Sequence, residues 1–235
     1  MRVSWLNLWY IRIKMRKEPL VTDGIYHVFN RSIAGFHIFN NNEEFLRMKQ
    51  LMKYYQIKNE LRFSDFIELK QVQEEGFNNY FNKILIDKDK LIQIIAYSFM
   101  PTHIHLIVKQ LSNDGISDYM GDFLNSYTRF FNTKYKRKGP LWESKFKNVL
   151  VKSDEQLLHL TRYLHLNSTT AKLVDRPEDW EFSSYNEYLG KENEIRSICE
   201  FKDLLDIKPS EYRKFVNDQI SYQKELAKIK DLLID

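Results

Sequence analysis

Apolar and polar residues alternate along the first half of the chain in a way that predicts a strand and then a helix. The run IYHVFNRS, which begins at Ile25, alternates and is rich in β-forming residues. Asn42 and two following glutamates predict a helix start, because a cap side chain and early acidic residues suit the free amides and the helix dipole. Apolar residues at helical spacing then extend this helix to about Ile57. They are Phe45, Met48, Leu51, Met52 and Tyr55.

Residues 58–90 are charged, aromatic and poorly periodic, so we interpret them as an insertion that contains some helix. Two β-rich apolar runs follow, LIQIIAYSF from Leu91 to Phe99 and HIHLIVK from His103 to Lys109. Pro101 lies in the break between them. This pattern predicts a hairpin of two buried strands.

The second half of the chain adds two helices and a strand. Apolar residues recur three and four positions apart between Ile116 and Tyr135, which predicts a long amphipathic helix. KFKNVLV, residues 145–151, alternates like a strand. Ser153 and Gln156 have the spacing of a capping box, and the helix that they begin runs to about Ala171.

The predicted element order is β-α-insertion-β-β-α-β-α, which is typical of an α+β protein with a ferredoxin-like (split βαβ) fold. We expect an antiparallel sheet with helices on one face, an additional helix, and a helical C-terminal tail. The predicted organisation is an N-terminal extension over 1–23, one domain over 24–190 and a tail over 191–235. The extension lacks the apolar core of a secretory signal, and either Met1 or Met15 could be the start.

Composition excludes several classes of protein. The longest apolar runs fall well short of the roughly 20 residues that cross a bilayer, so we expect no membrane partner. Cys199 is the single cysteine, which excludes an intramolecular disulfide framework and a cysteine-based zinc cage. One cysteine is also typical of a reducing compartment, and we expect the protein in the cytoplasm.

The net charge of +4 conceals an uneven distribution. Residues 126–152 contain eight bases and one acid, Glu143, so this basic window carries +7 and the rest of the chain −3. Aromatic residues interleave with these bases, and this pairing suits single-stranded nucleic acid, since rings stack on bases and cations neutralise phosphates. The predicted DNA-binding residues are Lys134, Lys136, Arg137, Lys138, Trp142, Lys145 and Lys147.

His103 and His105 are two positions apart on a predicted strand, so both imidazoles lie on one face. Two imidazoles make an incomplete metal site, which suits a cation that keeps positions open for phosphate oxygens. The alternative is that these are ordinary strand histidines, which is the commoner meaning of a His-x-His motif by itself.

Tyr163 and Asn167 are four positions apart on the last predicted helix of the domain, so they lie one above the other on one face. His159 continues the same line of polar residues. The alternative is a half-buried aromatic residue and an amide near the helix end.

The motifs in their order resemble the Y1 (single-tyrosine) transposases of the HUH superfamily, and within it the repeat-associated branch related to IS200-like elements. The motifs are YHVFNRS, MPTHIHLIV, YTRFFNTKYKRKGPLWESKFKNVLV, DEQLLHLTRYLHLNS and WEFSSYNEYLG. The resemblance covers residues 24–190, which would then be the transposase (HUH endonuclease) domain. The fold of that family, a ferredoxin-like core with the tyrosine on a following helix, agrees with the predicted order.

The resemblance implies a role for each candidate residue. His103 and His105 match the two histidines that bind a divalent metal, Mg²⁺ or Mn²⁺, Asn167 matches the amide that completes the metal site, and Tyr163 matches the nucleophile. The implied activity is cleavage and rejoining of hairpin-containing single-stranded DNA through a 5′-phosphotyrosine intermediate. One departure is Ser168, where this branch commonly has proline.

Two other functions remain open at this point. A non-catalytic, ferredoxin-like nucleic-acid-binding module would use the bases and aromatic residues without the histidines, and a metal-dependent nuclease would use water as its nucleophile. The acceptor of the phenol proton is also open, with water at the metal site and His159 as candidates. Related enzymes act as monomers or as homodimers that exchange tyrosine helices.

Overall fold

The computed structural model describes residues 19–86 and 88–221. Most of the predicted N-terminal extension, with both candidate start methionines, and the last part of the tail lie outside the described residues. The strands are β1 (Ile25–Arg31), β2 (Ile92–Met100), β3 (His103–Gln110) and β4 (Lys147–Leu150). The helices are α1 (Asn42–Tyr54), α2 (Phe63–Ile67), α3 (Lys70–Glu75), α4 (Phe77–Leu85), α5 (Gly115–Lys134), α6 (Asp154–Thr170), α7 (Tyr185–Tyr188) and α8 (Pro209–Asn217).

The four strands form an antiparallel sheet in the order β2-β3-β1-β4. This order, with α1 after β1 and α5 after β3, is the split βαβ arrangement. The predicted ferredoxin-like fold is therefore confirmed. Its two central strands, β1 and β3, pair so that Phe29 lies opposite His105 and Arg31 lies opposite His103.

The two faces of the sheet have different coverings. One face presents apolar side chains such as Tyr26, Val28 and Leu106, and it packs against α1 and α5 in the larger core. The other face is covered at β2 by α6 and by the tail, through a second core that includes Ile107 and Leu164. Toward β1 and β4 this second face is only partly covered, and Val149 on β4 is 48% exposed.

The insertion forms the short helices α2, α3 and α4, in agreement with the helix expected there. Its aromatic residues form a cluster against the end of α1, in which Phe66 and Phe81 pack on Tyr54 at ring-centroid distances of 4.8 and 5.4 Å. The aromatic residues that made the helical spacing hard to recognise in the sequence thus form the core of the insertion.

Helix and strand ends differ from the predicted ones by a few residues. The cap of α1 is Asn41, whose side chain accepts a hydrogen bond from the Glu44 amide at 3.2 Å. In the described part of the tail, residues 191–208 form turns and irregular structure instead of the expected helix, and Phe201 and Leu205 of this segment pack into the second core. The helix α8 begins only at Pro209, a favoured first helical residue.

No helix in residues 19–86 and 88–221 is long and apolar enough to cross a membrane.

Candidate active site at the histidine face of the sheet

The alternation of β3 places His103 and His105 on the partly covered face, with their ring centroids 5.1 Å apart. The apolar residues between and after them, Ile104 and Leu106, point into the larger core and anchor the strand. The prediction that both imidazoles lie on one face of the strand is confirmed.

Each of these histidines has a hydrogen bond at its Nδ1 atom. His105 Nδ1 lies 2.9 Å from His27 Nε2 on β1, and His103 Nδ1 lies 3.0 Å from the Thr102 hydroxyl. Within the described part of the chain, neither Nε2 atom has a hydrogen-bond partner. Both histidines therefore have one ring nitrogen held and the other available to a ligand.

Burial keeps these rings neutral. It lowers the pKa of His27 to about 4 and also lowers the pKa of His103, to which the positive charge of Arg31 contributes. The pKa of His105 lies well below its usual value, because of burial first and then the neighbouring His27 and His103. A neutral imidazole is the form that binds metal ions.

Tyr163 reaches this face from α6, a helix with a strong N-terminal cap and a buried apolar side. Ser153 caps it by accepting a hydrogen bond from the Gln156 amide at 3.1 Å, and Leu157 and Leu164 bury one side of it in the second core. The Tyr163 ring lies edge-on to His105, with a centroid distance of 6.1 Å. Tyr163 is 43% exposed, and burial of the remainder raises its pKa, so the phenol is protonated at neutral pH.

Asn167 lies one helical turn after Tyr163 and is 8% exposed. Its Nδ2 atom is buried without a hydrogen-bond partner. Ser98, which lies opposite His105 on β2, likewise has a buried Oγ atom without a partner. Buried polar atoms are nearly always paired, so two unpaired ones on the elements that flank the histidines need an explanation.

The two imidazoles at this face could hold a divalent cation only incompletely. In residues 19–86 and 88–221, no group of three or more His, Cys, Asp or Glu side chains could hold a metal ion. Two histidines and the amide oxygen of Asn167 would supply three ligands and leave further positions open, as expected for a cation that also binds phosphate.

His159 does not point toward this face. Its Nδ1 atom lies 2.7 Å from an Arg162 guanidinium nitrogen, and its ring packs on Phe215 of α8 at 5.5 Å. Because an arginine can only donate, His159 Nδ1 accepts this hydrogen bond. The structure thus separates His159 from Tyr163, although the two share a helix face by spacing.

A cleft of about 630 Å³ opens beside the two histidines. Arg31 and Glu143 lie at this cleft and form a two-point ion pair in which Arg31 Nη2 donates to Glu143 at 2.9 Å. Glu143 is the one acid of the basic window, so the window meets the histidine face at this ion pair.

Three of the predicted DNA-binding residues are held by contacts within the protein. Lys134 forms ion pairs with two glutamates of α1 at 2.9 and 3.0 Å, and Arg137 donates to Asn132 at 3.0 Å and to the carbonyl of Pro140 at 2.8 Å. The indole of Trp142 donates to the Leu124 carbonyl at 3.3 Å.

The other four predicted DNA-binding residues are exposed: Lys136, Lys138, Lys145 and Lys147. Lys147 pairs with Phe29 across β1 and β4 and so belongs to the histidine face of the sheet.

Sequence reasoning missed His27, Thr102 and Arg31 as members of this site. The alternation in IYHVFNR already places His27 and Arg31 on one face of a strand. It does not give the pairing of β1 with β3, and only that register brings His27 to His105 and Arg31 to His103.

Comparisons with known proteins cover most of this site. Residues 69–167 match the family described as Transposase IS200 like, a segment that contains His103, His105, Tyr163 and Asn167. Over 105 residues the chain is 28% identical to a REP-associated tyrosine transposase of Haemophilus influenzae. That match covers 40% of this chain and 59% of the relative's length.

Two solved structures show weaker similarity in three dimensions. A REP-associated tyrosine transposase bound to a REP hairpin has a TM-score of 0.48 and 14% identity, over 82% of this chain and 98% of that chain. A tRNA(His) guanylyltransferase from Saccharomyces cerevisiae has a TM-score of 0.32 and 11% identity, over 94% of this chain and 82% of that chain. The sequence matches agree with the family resemblance that the motifs indicate, and they place the similarity to IS200-like transposases in residues 69–167.

Proposed function

We propose that this protein is a transposase that cleaves and rejoins hairpin-containing single-stranded DNA, with Tyr163 as the nucleophile and Mg²⁺ or Mn²⁺ as cofactor. One observation carries the proposal. An exposed tyrosine lies 6.1 Å, ring to ring, from a histidine whose Nε2 atom is unpaired, and the second unpaired histidine is adjacent. A candidate nucleophile thus lies against one histidine of a partial cation site.

The proposed reaction is an in-line displacement at phosphorus. The Tyr163 oxygen forms a bond to the scissile phosphorus while the bond from phosphorus to the 3′ oxygen breaks. The phenol loses its proton, the departing 3′ oxygen gains one, and the products are a 5′-phosphotyrosine and a free 3′-hydroxyl. A second 3′-hydroxyl then attacks the same phosphorus, restores a phosphodiester and releases the tyrosine.

Tyrosine suits this reversible transfer because a phenol has a pKa of about 10 and its phenolate leaves far more readily than an alkoxide. His103, His105 and Asn167 would hold the divalent cation, which when bound polarises the phosphate and offsets charge on the departing oxygen. Arg31 lies in the same cleft, where its guanidinium could take a phosphate in place of Glu143.

The proposed path of the DNA strand follows the exposed part of the basic window. Lys147 lies on the histidine face, Lys145 is just before it in the chain, and both are exposed. These lysines, at the edge of the sheet formed by β4, would neutralise phosphates of the DNA backbone near the site. The ring contact between Tyr163 and His105 is made within one chain, which supports a site in which both residues come from the same protomer.

Labelled single-stranded hairpin DNA, with the wild-type protein and Tyr163→Phe in Mg²⁺ or in EDTA, tests the proposal on a denaturing gel. We expect a covalent protein-DNA adduct only for the wild type in Mg²⁺. Cleavage without an adduct, which persists in Tyr163→Phe, would instead identify a nuclease that uses water. Hairpin binding without cleavage under any condition would identify a nucleic-acid-binding module.

A further inference from the structure

His27 lies beside His105 on the neighbouring central strand of the sheet. The register pairs Phe29 with His105 and His27 with Ile107, so His27 and His105 are diagonal neighbours on one face. Their rings are nearly parallel, with an angle of 22° and a centroid distance of 5.1 Å, and His27 Nε2 lies 2.9 Å from His105 Nδ1. At that distance the two nitrogens share one hydrogen.

The position of that hydrogen decides whether His105 can bind a cation. A neutral imidazole carries one hydrogen, on either Nδ1 or Nε2. If His27 Nε2 donates, the hydrogen of His105 lies on Nε2 and blocks that atom. If His105 Nδ1 donates to His27, the Nε2 lone pair of His105 is free. The state that can bind a cation therefore requires His27 as the acceptor.

His103 has the same arrangement with a different partner. The Thr102 hydroxyl lies 3.0 Å from His103 Nδ1 and can accept its hydrogen, which again frees Nε2. The two histidines of the motif thus each have a hydrogen-bond acceptor at Nδ1, from the adjacent strand in one case and from the β2–β3 turn in the other.

We propose that His27 is a positioning residue, which holds His105 in the tautomer with hydrogen on Nδ1 and fixes the direction of its Nε2 atom toward a divalent cation. This inference rests on the proposed function, because it assumes that His105 is a metal ligand. It adds a residue outside the matched segment 69–167 to the machinery of the site.

Two substitutions separate the hydrogen bond from simple packing. His27→Leu removes the acceptor and retains an apolar side chain, whereas His27→Gln retains an oxygen that can accept from His105 Nδ1. Mn²⁺ binding to the DNA-free protein is measured by electron paramagnetic resonance. We expect His27→Leu to weaken Mn²⁺ binding by about 10- to 100-fold, and His27→Gln to recover most of that loss.

Imidazole ¹⁵N chemical shifts of the metal-free protein give a second readout. We expect hydrogen on Nδ1 of His105 in the wild type and a larger share on Nε2 in His27→Leu. Hairpin binding in EDTA serves as the test that the variants are folded. Hydrogen on Nε2 of His105 in the wild type, or unchanged Mn²⁺ affinity in folded His27→Leu, would overturn the inference.

His103→Ala distinguishes this failure from failure of the proposed function. If His103→Ala loses Mn²⁺ binding while His27→Leu retains it, only the role of His27 is wrong. If His103→Ala binds Mn²⁺ like the wild type, the metal site itself is wrong and both proposals fall.

Discussion

His105, which is half-buried, and His165, which is fully buried, are both neutral imidazoles, yet their hydrogen bonding differs. Both ring nitrogens of His165 are paired, Nδ1 with the Tyr212 hydroxyl at 2.6 Å and Nε2 with the Ser184 hydroxyl at 2.8 Å. His105 has only Nδ1 paired; the residue lines a cleft, and its ring lies beside an exposed tyrosine. Burial lowers the pKa of both histidines.

A lowered pKa therefore does not distinguish the proposed metal ligand, His105, from His165, whose hydrogen bonds are all within the protein. The unpaired nitrogen distinguishes them, because an imidazole with both nitrogens hydrogen-bonded has no lone pair left for a ligand. Helix α6 contributes to both places, with Tyr163 beside His105 and with His165 itself. Tyr163 and His165 are two residues apart, about 200° around the helix, so one points to the histidine face and the other to the tail.

The largest expected effect is on adduct formation, through the His103–His105 pair, whose Nε2 atoms are unpaired. His103→Ala removes a proposed ligand whose Nε2 atom pairs with nothing in the described protein, so it should reduce adduct formation by roughly 100-fold or more while changing stability little. Adduct yield over time and thermal unfolding, measured on the same preparation, test this. If His103→Ala forms the adduct within a few-fold of the wild type, the unpaired nitrogen does not distinguish the His103–His105 pair from His165.

His165 and its partners Tyr212 and Ser184 should show the opposite behaviour, with a large effect on stability. His165→Ala leaves the hydroxyls of Tyr212 and Ser184 without their partner and opens a cavity, so it should lower the free energy of unfolding by about 2–4 kcal/mol. Tyr212→Phe, which removes one hydroxyl and keeps the ring, should cost about 1 kcal/mol. Urea denaturation measures both, and a neutral His165→Ala would contradict a structural role.

A third prediction concerns acid. The pKa of His165 is about 3 in the folded protein and 6.5 in the unfolded chain, so between these values only the unfolded state binds this proton. Its contribution to stability is complete above pH 6.5 and is lost as the pH falls, at about 1.4 kcal/mol per pH unit.

The matched variant for this prediction is His165→Gln, which does not titrate. Between pH 6 and pH 4, stability of the wild type should fall more steeply than that of His165→Gln by that one-proton slope. Urea denaturation at several pH values measures the difference. Equal slopes would mean that His165 is not held neutral by burial.

The smallest expected effect distinguishes exposed from engaged bases. Replacing Lys145 and Lys147 with glutamine should weaken hairpin binding and reduce the dependence of log affinity on log salt by about 1.4, for two contacts to single-stranded DNA. Lys134→Gln should change this slope little, because Lys134 is paired with two glutamates. Fluorescence anisotropy at several salt concentrations measures both. Equal effects would show that ion pairing does not select the DNA contacts.

Much of this arrangement is readable from local sequence. The alternation around His103 and His105 gives their common face, and the spacing of Tyr163 and Asn167 gives one helix stripe, since both follow from backbone geometry. The pairing of His27 with His105 requires a strand register between residues 78 positions apart, which no local pattern encodes. The engagement of Lys134 by α1 and the turn of His159 toward α8 are tertiary contacts of the same kind.

The most direct test of the central claim is the chemical identity of the adduct. After incubation with single-stranded hairpin DNA and Mg²⁺, proteolysis and mass spectrometry locate the nucleotide on the protein. A 5′-phosphate linked to Tyr163, absent from Tyr163→Phe, is the result that we expect. An adduct on another residue, or strand cleavage that persists in Tyr163→Phe, would contradict the assignment of Tyr163 as the nucleophile that faces the His103–His105 pair.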